Sequence, residues 1–142
     1  EDMGLPARLL HNEAILAFDG GAYDAAEDML ARSLEQMQAA FGTWHPDVAA
    51  CLATAGDFAR RQGEAAAAMH SYEQALAIFE RSLGPDHQDT LKCMCKMALA
   101  ARDGGDFAKA EEYLRTALAG FRRVGISGEF NIRTVVRDLR DV

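Results

Sequence analysis

Nowhere in the 142 residues is there an apolar run long enough to cross a bilayer. The longest, such as Ala65 to Met69, are short and alanine-rich, against the roughly 20 residues a spanning helix needs. No membrane association is expected. The first residues, Glu1 to Pro6, have neither a basic segment nor an apolar one, so no secretory leader is read there. The chain also lacks an initiator methionine, which suggests a trimmed chain or a piece of something longer. Cysteine is scarce and odd in number: Cys51, Cys93 and Cys95 do not form the framework of a disulfide-stapled secreted module. A reducing, cytoplasmic setting is expected. Lysine is scarce too, at three residues, and the net charge of −7 argues against generic attraction to nucleic acid or anionic lipid.

Catalytic motifs are equally missing. There is no glycine-rich phosphate loop and no nucleophile elbow, and no carboxylate pair is set in a strand-built pocket. No enzymatic activity and no cofactor are expected. Cys93 and Cys95 are two apart on an expected helix, where side chains diverge, so they cannot easily share a metal. Cys51 and Cys93 are one repeat apart (see below) and read as small core residues. His45 and His87 each precede an aspartate by two residues in expected turns, which fits capping or solvation. His70 reads as a surface residue. No metal site is expected.

What the chain does have is self-similarity. Gly21, Gly63 and Gly105 are 42 residues apart; so are Ala26, Ala68 and Ala110, and Leu34, Leu76 and Leu118. Phe41-Gly42, Leu83-Gly84 and, one residue short, Val124-Gly125 mark the unit ends. His45-Pro46-Asp47 returns as His87-Gln88-Asp89. Between these markers apolar or small residues recur at three- and four-residue spacing without β-branched runs, the pattern of helices. Two helices per unit are predicted, at about 5–19 and 22–41, 46–62 and 65–83, 88–104 and 107–124, with a last helix at about 129–141. The terminal glycines can take left-handed backbone conformations. Pro46 and Pro85 fall where a helix starts or a linker turns. Asp47, Asp86 and Asp89 stand near helix N-termini, where carboxylates cap free amides.

Within each unit, small residues recur in register: Ala14, Gly56 and Ala98 in the first helix; Ala26, Ala68 and Ala110, then Ser33, Ala75 and Ala117, in the second. A larger residue, Leu30, Tyr72 or Leu114, fills the space between, and an aromatic marks the turn as Tyr23 and Phe107. This pattern resembles the tetratricopeptide repeat. The 42-residue period and the segment Leu83 to Leu91 are similar to the kinesin-light-chain type. Glu13, at a position normally large and apolar, and Ala65, in place of the turn aromatic, depart from it. Kinesin-light-chain repeats tend to carry an asparagine pair that holds a bound peptide's backbone. The corresponding pairs here are His11-Asn12, Ala53-Thr54 and Cys95-Lys96, so only Asn12 is kept.

The resemblance implies an all-α, right-handed superhelical solenoid: three helix-turn-helix repeats, at about 5–42, 46–84 and 88–125, plus a C-terminal capping helix in one domain. It implies a concave groove lined by the first helix of each unit. That maps to Arg8, His11, Asn12, Ile15 and Phe18; to Ala53, Asp57, Arg60 and Arg61; to Lys92, Lys96, Leu99 and Arg102; and to Arg137 in the final helix. Most of these are basic, whereas Glu27, Asp28, Glu35, Glu73, Glu111 and Glu112 face outward on the second helices. The function implied is a protein-interaction scaffold or adaptor, with an acidic segment of a partner protein received in the groove. A self-assembling structural unit and an autoinhibitory or sensor domain of a larger regulator are the alternatives. In the final helix Ile132, Val135, Val136 and Leu139 form an apolar stripe larger than a solvated cap requires, so this end is expected to continue into further chain or to join two copies.

Overall fold

The computed structural model describes residues 4–125 and 137–140. Six helices run antiparallel in pairs: α1 (Leu5–Asp19), α2 (Tyr23–Phe41), α3 (Pro46–Arg61), α4 (Ala65–Leu83), α5 (Gln88–Asp103) and α6 (Phe107–Arg123). Their ends fall within one residue of those read from the sequence. Residues 137–140 are also helical. They are the described part of the expected final helix; Ile132, Val135 and Val136 lie outside the described residues. The pairs α1–α2, α3–α4 and α5–α6 are hairpins, and each hairpin stacks on the next through α2 against α3 and α4 against α5. The result is a right-handed solenoid with no strand among the described residues.

The 42-residue glycine column has a backbone cause. Gly21, Gly63 and Gly105 have φ of 91°, 80° and 85°, a region closed to most side chains. In each turn the glycine N–H bonds back three residues and the next N–H bonds back five: Gly21 to Phe18 O and Ala22 to Ala17 O, Gly63 to Arg60 O and Glu64 to Ala59 O, Gly105 to Arg102 O and Asp106 to Ala101 O. This paired closure satisfies the last carbonyls of the first helix and turns the chain into the second. At the helix starts that follow the first and second hairpins, the cap comes from histidine. Nδ1 of His45 accepts from the Asp47 N–H at 3.0 Å, and Nδ1 of His87 from the Asp89 N–H at 3.1 Å. Asp47 and Asp89 stand inside the first turn instead of capping it, where their charge still opposes the dipole. Asp86 pairs with Arg123 at 2.7 Å, and that guanidinium holds its carboxyl below the usual carboxylate range.

All nine small residues of the repeated columns are buried. They let paired helices approach closely, and the large residue between them is matched to the space left. Leu30 and Leu114 accompany Ala14 and Ala98; Tyr72 accompanies Gly56. A Cβ on Gly56 would lie 2.5 Å from Cε1 of Tyr72, so the bulkier ring and the missing methyl belong together. A second exchange occurs one hairpin on. A Cβ on Gly120 would lie 2.6 Å from Cδ2 of Leu91, whereas at the corresponding positions of the middle hairpin the small residue is Ala49 and the large one Ile78. Within the first hairpin Ser33 donates to Ala7 O at 2.6 Å, and between hairpins Cys51 Sγ sits 3.4 Å from Met37 Sδ. Cys93 donates to Tyr72 O at 3.4 Å. Burial pushes the Cys93 and Cys95 thiols up to about 12, so both stay protonated near neutral pH, as core residues do.

Gly56→Ala is expected to destabilise the chain by about 1–3 kcal/mol through overpacking against Tyr72. In a Tyr72→Leu background the same change should cost nothing or stabilise, because alanine is the better helix former by about 1 kcal/mol. Urea denaturation of the four chains of this cycle measures the sign change. Equal costs in both backgrounds would rule out the packing account.

Candidate functional site

Because the hairpins stack with the same hand, their first helices α1, α3 and α5 come to lie side by side and touch. The face they share is the concave side. Between α3 and α5 it deepens into a cleft of about 260 Å³ lined by Pro46, Asp47, Ala50, Ala53, Phe79, Asp89, Lys92, Cys93 and Lys96. Ala50, Ala53, Phe79 and Cys93 give it an apolar floor, and Asp47, Asp89, Lys92 and Lys96 a charged rim.

Several of the groove residues read from the sequence are tied to their neighbours. Arg8 pairs with Asp47 at 2.8 Å, and Lys96 with Asp57 at 2.9 Å. Both pairs join first helices of successive hairpins at a separation of 39 residues, with opposite charge order and at places about two helical turns apart along the repeat. Arg61 reaches Asp19 at 2.7 Å and lies 4.6 Å over the Phe18 ring. Asp57 also accepts from the Tyr72 hydroxyl. Burial, reinforced by that carboxylate, pushes the Tyr72 phenol well above its ordinary range, and the nearby Arg60 charge opposes the rise. Arg60 Nε is buried without a hydrogen-bond partner among the described residues.

His11 Nε2 lies 2.8 Å from Thr54 Oγ1. The Thr54 hydroxyl already donates to Ala50 O at 3.0 Å, so the imidazole must be the donor. Burial lowers the His11 pKa from its ordinary 6.5, with Asp47 acting in opposition. His11 therefore enters the groove as a neutral N–H donor and adds no positive charge near neutral pH.

Lys92 is exposed and makes no ion pair among the described residues. Arg102 and Leu99 are half-buried, and Arg102 comes within 4.0 Å of its neighbour Asp103. Arg137 is exposed and lies 3.4 Å from Asp138. Ile15 packs partly against the core. Phe18 is not on the groove surface: it is 2% exposed and stacks on Phe58 with ring centroids 4.1 Å apart. Asn12 is exposed on α1. The sequence reading missed Asp19, Asp47, Thr54 and Asp89 as groove residues. The available signal was opposite charge about one repeat apart, as in Arg8 with Asp47 and Asp57 with Lys96.

A family profile described as tetratricopeptide repeat matches residues 5–81 and 49–123. The chain belongs to this family. Solved structures carry the same fold. The crystal structure of BtubC (BKLC) from P. vanneervenii superposes with a TM-score of 0.87 at 17% identity, covering 98% of this chain and 56% of that one. A Podospora anserina putative kinesin light chain with nearly identical repeats gives 0.83 at 19%, covering 98% and 66%. The N-terminal domain of stress-induced protein-1 from C. elegans gives 0.72 at 13%, covering 97% and 98%. This chain thus spans less than two thirds of the first two. No curated protein gives a significant sequence match. The tetratricopeptide assignment makes the face of α1, α3 and α5 the candidate site. Among the described residues no group of three or more histidine, cysteine or carboxylate side chains could hold a metal, and no helix is long and apolar enough to cross a membrane.

The His11 contact has a pH consequence. Its folded-state pKa is lowered, so just below pH 6.5 the unfolded chain binds the proton more readily than the folded one. The contribution is intact above that value and is lost as pH falls through the window beneath it. The melting temperature of His11→Gln should therefore decline less than that of the parent between neutral and mildly acidic pH. Parallel declines would show that His11 titrates as it does in the unfolded chain.

Proposed function

We propose that the chain is a cytoplasmic protein-interaction module, a scaffold or adaptor with no catalysis of its own. Its groove receives an extended acidic segment of a partner protein. Tetratricopeptide repeats mediate protein–protein interaction, and the cleft between α3 and α5 is the observation that supports this seat. Asp47 and Asp57 are neutralised by Arg8 and Lys96. Lys92 and Arg60 have no carboxylate within ion-pair distance among the described residues, whereas Asp89 is the remaining acid at the rim. An acidic side chain entering there would meet Lys92 first. The exposed carboxylates of Glu27, Asp28, Glu35, Glu73 and Glu112 on the second helices repel the same ligand from the convex side and so favour the groove.

Screening a peptide library by fluorescence anisotropy tests the reading. Acidic sequences should be selected, and their affinity should fall as salt rises. Lys92→Glu with Lys96→Glu should weaken binding at least about tenfold while helicity is unchanged. Selection of neutral or basic sequences that bind the double variant equally well would refute the acidic-ligand reading.

A further inference from the structure

The two loops that join successive hairpins meet the second helix of the following hairpin in different ways. In the last hairpin Asp86 and Arg123, 37 residues apart, form a two-pronged pair: Nε of Arg123 donates to Oδ2 at 3.1 Å and Nη2 to Oδ1 at 2.7 Å. One repeat earlier the same two positions hold Trp44 and Arg81. There the guanidinium carbon lies 4.1 Å from the centroid of the indole ring, and Arg81 has no carboxylate within ion-pair distance among the described residues. The middle hairpin thus keeps the arginine and has a ring where the last has the acid. A steric reason goes with the exchange. A Cβ on Gly120 would lie 3.4 Å from Oδ1 of Asp86, and the corresponding residue of the middle hairpin is Ile78, whose branched side chain would crowd a loop carboxylate placed as Asp86 is.

We infer that Arg81 and Trp44 form a carboxylate-binding site beside the groove, taken by an acidic side chain of the partner protein. Three observations select that occupant. The chain itself shows the recognition, since Asp86 is a carboxylate gripped by the guanidinium that corresponds to Arg81. An arginine held over a ring keeps N–H donors for such a fork, and the ring steadies it. Second, the loop that carries Trp44 is fixed beforehand: Phe41 stacks on His45 with ring centroids 4.2 Å apart, and Nδ1 of His45 caps α3. Little freedom is therefore lost when a ligand arrives. Third, the place suits a segment leaving the groove. Trp44 is 48% exposed and Arg81 is exposed, and each stands two residues from a residue that lines the cleft between α3 and α5, Pro46 and Phe79 respectively. This site rests on the acidic-ligand reading of the groove and adds a second, fixed point of contact to it. Two side chains make the contact, so it leaves the backbone amides of α4 unprotected.

Trp44 is the single tryptophan of the chain, so its emission reports on this place alone. Titration with an octaglutamate peptide should change that emission saturably, and less so as salt rises. Anisotropy of the labelled peptide gives the affinity of each variant. Arg81→Gln should weaken binding about threefold to fivefold, the worth of one accessible ion pair, and remove the emission change, with circular dichroism unchanged because the side chain is exposed. Arg81→Lys keeps the charge without the fork and should fall between the two. Affinity that drops with Lys92→Glu and Lys96→Glu but not with Arg81→Gln would overturn this site and leave the groove reading standing. A drop with Arg81→Gln alone would keep the site and sink the groove reading. Unchanged Trp44 emission at saturating peptide would overturn the site, as would Arg81→Lys binding as tightly as the parent, which bare charge attraction predicts. A peptide that does not bind at all would overturn both.

Discussion

The close approach of the two helices in each hairpin is the constraint from which the rest of the structure follows. It requires small side chains at fixed places on both helices, and it turns every larger neighbour into a matched part. Gly56 and Tyr72 show the matching within one hairpin; Leu91 with Gly120, against Ala49 with Ile78, shows it traded between two. Since interiors are packed at near-crystalline density, one methyl group at such a point shifts a helix. The helix positions, in turn, decide where the next hairpin sits. Repeating one crossing with one hand sends every first helix to the same side, and that repetition makes the groove.

The charges on that side do two things at once. Arg8 with Asp47 and Asp57 with Lys96 tie successive first helices together, and each exposed or half-exposed pair contributes up to about 1 kcal/mol. They also cancel charge locally, so the field of the groove is set by the residues left over, Lys92 and Arg60 among them. A list of basic positions along the first helices therefore overstates how positive the surface is. The buried Tyr72 hydroxyl extends the pairing inward: it ties Asp57 to the same ring that fills the space beside Gly56.

Helix limits, hairpin pairing and the small-residue columns were legible because each repeats within the chain, and a period needs no knowledge of three-dimensional contacts. The capping histidines were legible in outline; that Nδ1 of His45 and His87 accepts the amide, leaving Asp47 and Asp89 free to face the groove, depends on rotamers the pattern does not carry. Phe18 was misplaced on the surface because a helical register gives a direction but not what the neighbouring helix does there, and Phe58 meets it face to face. Ion pairing along the groove was illegible for the same reason. It depends on how far apart two first helices lie, which is decided by packing in the second helices behind them.

The ligand surface proposed for this chain is the face that α1, α3 and α5 share. Amide hydrogen exchange with and without a selected acidic peptide tests it most directly. Slowed exchange is expected on the first helices, strongest around Ala50 to Ala53 and Lys92 to Lys96, with α2, α4 and α6 unchanged. Protection confined to the second helices or to the turns at Gly21, Gly63 and Gly105 would contradict it.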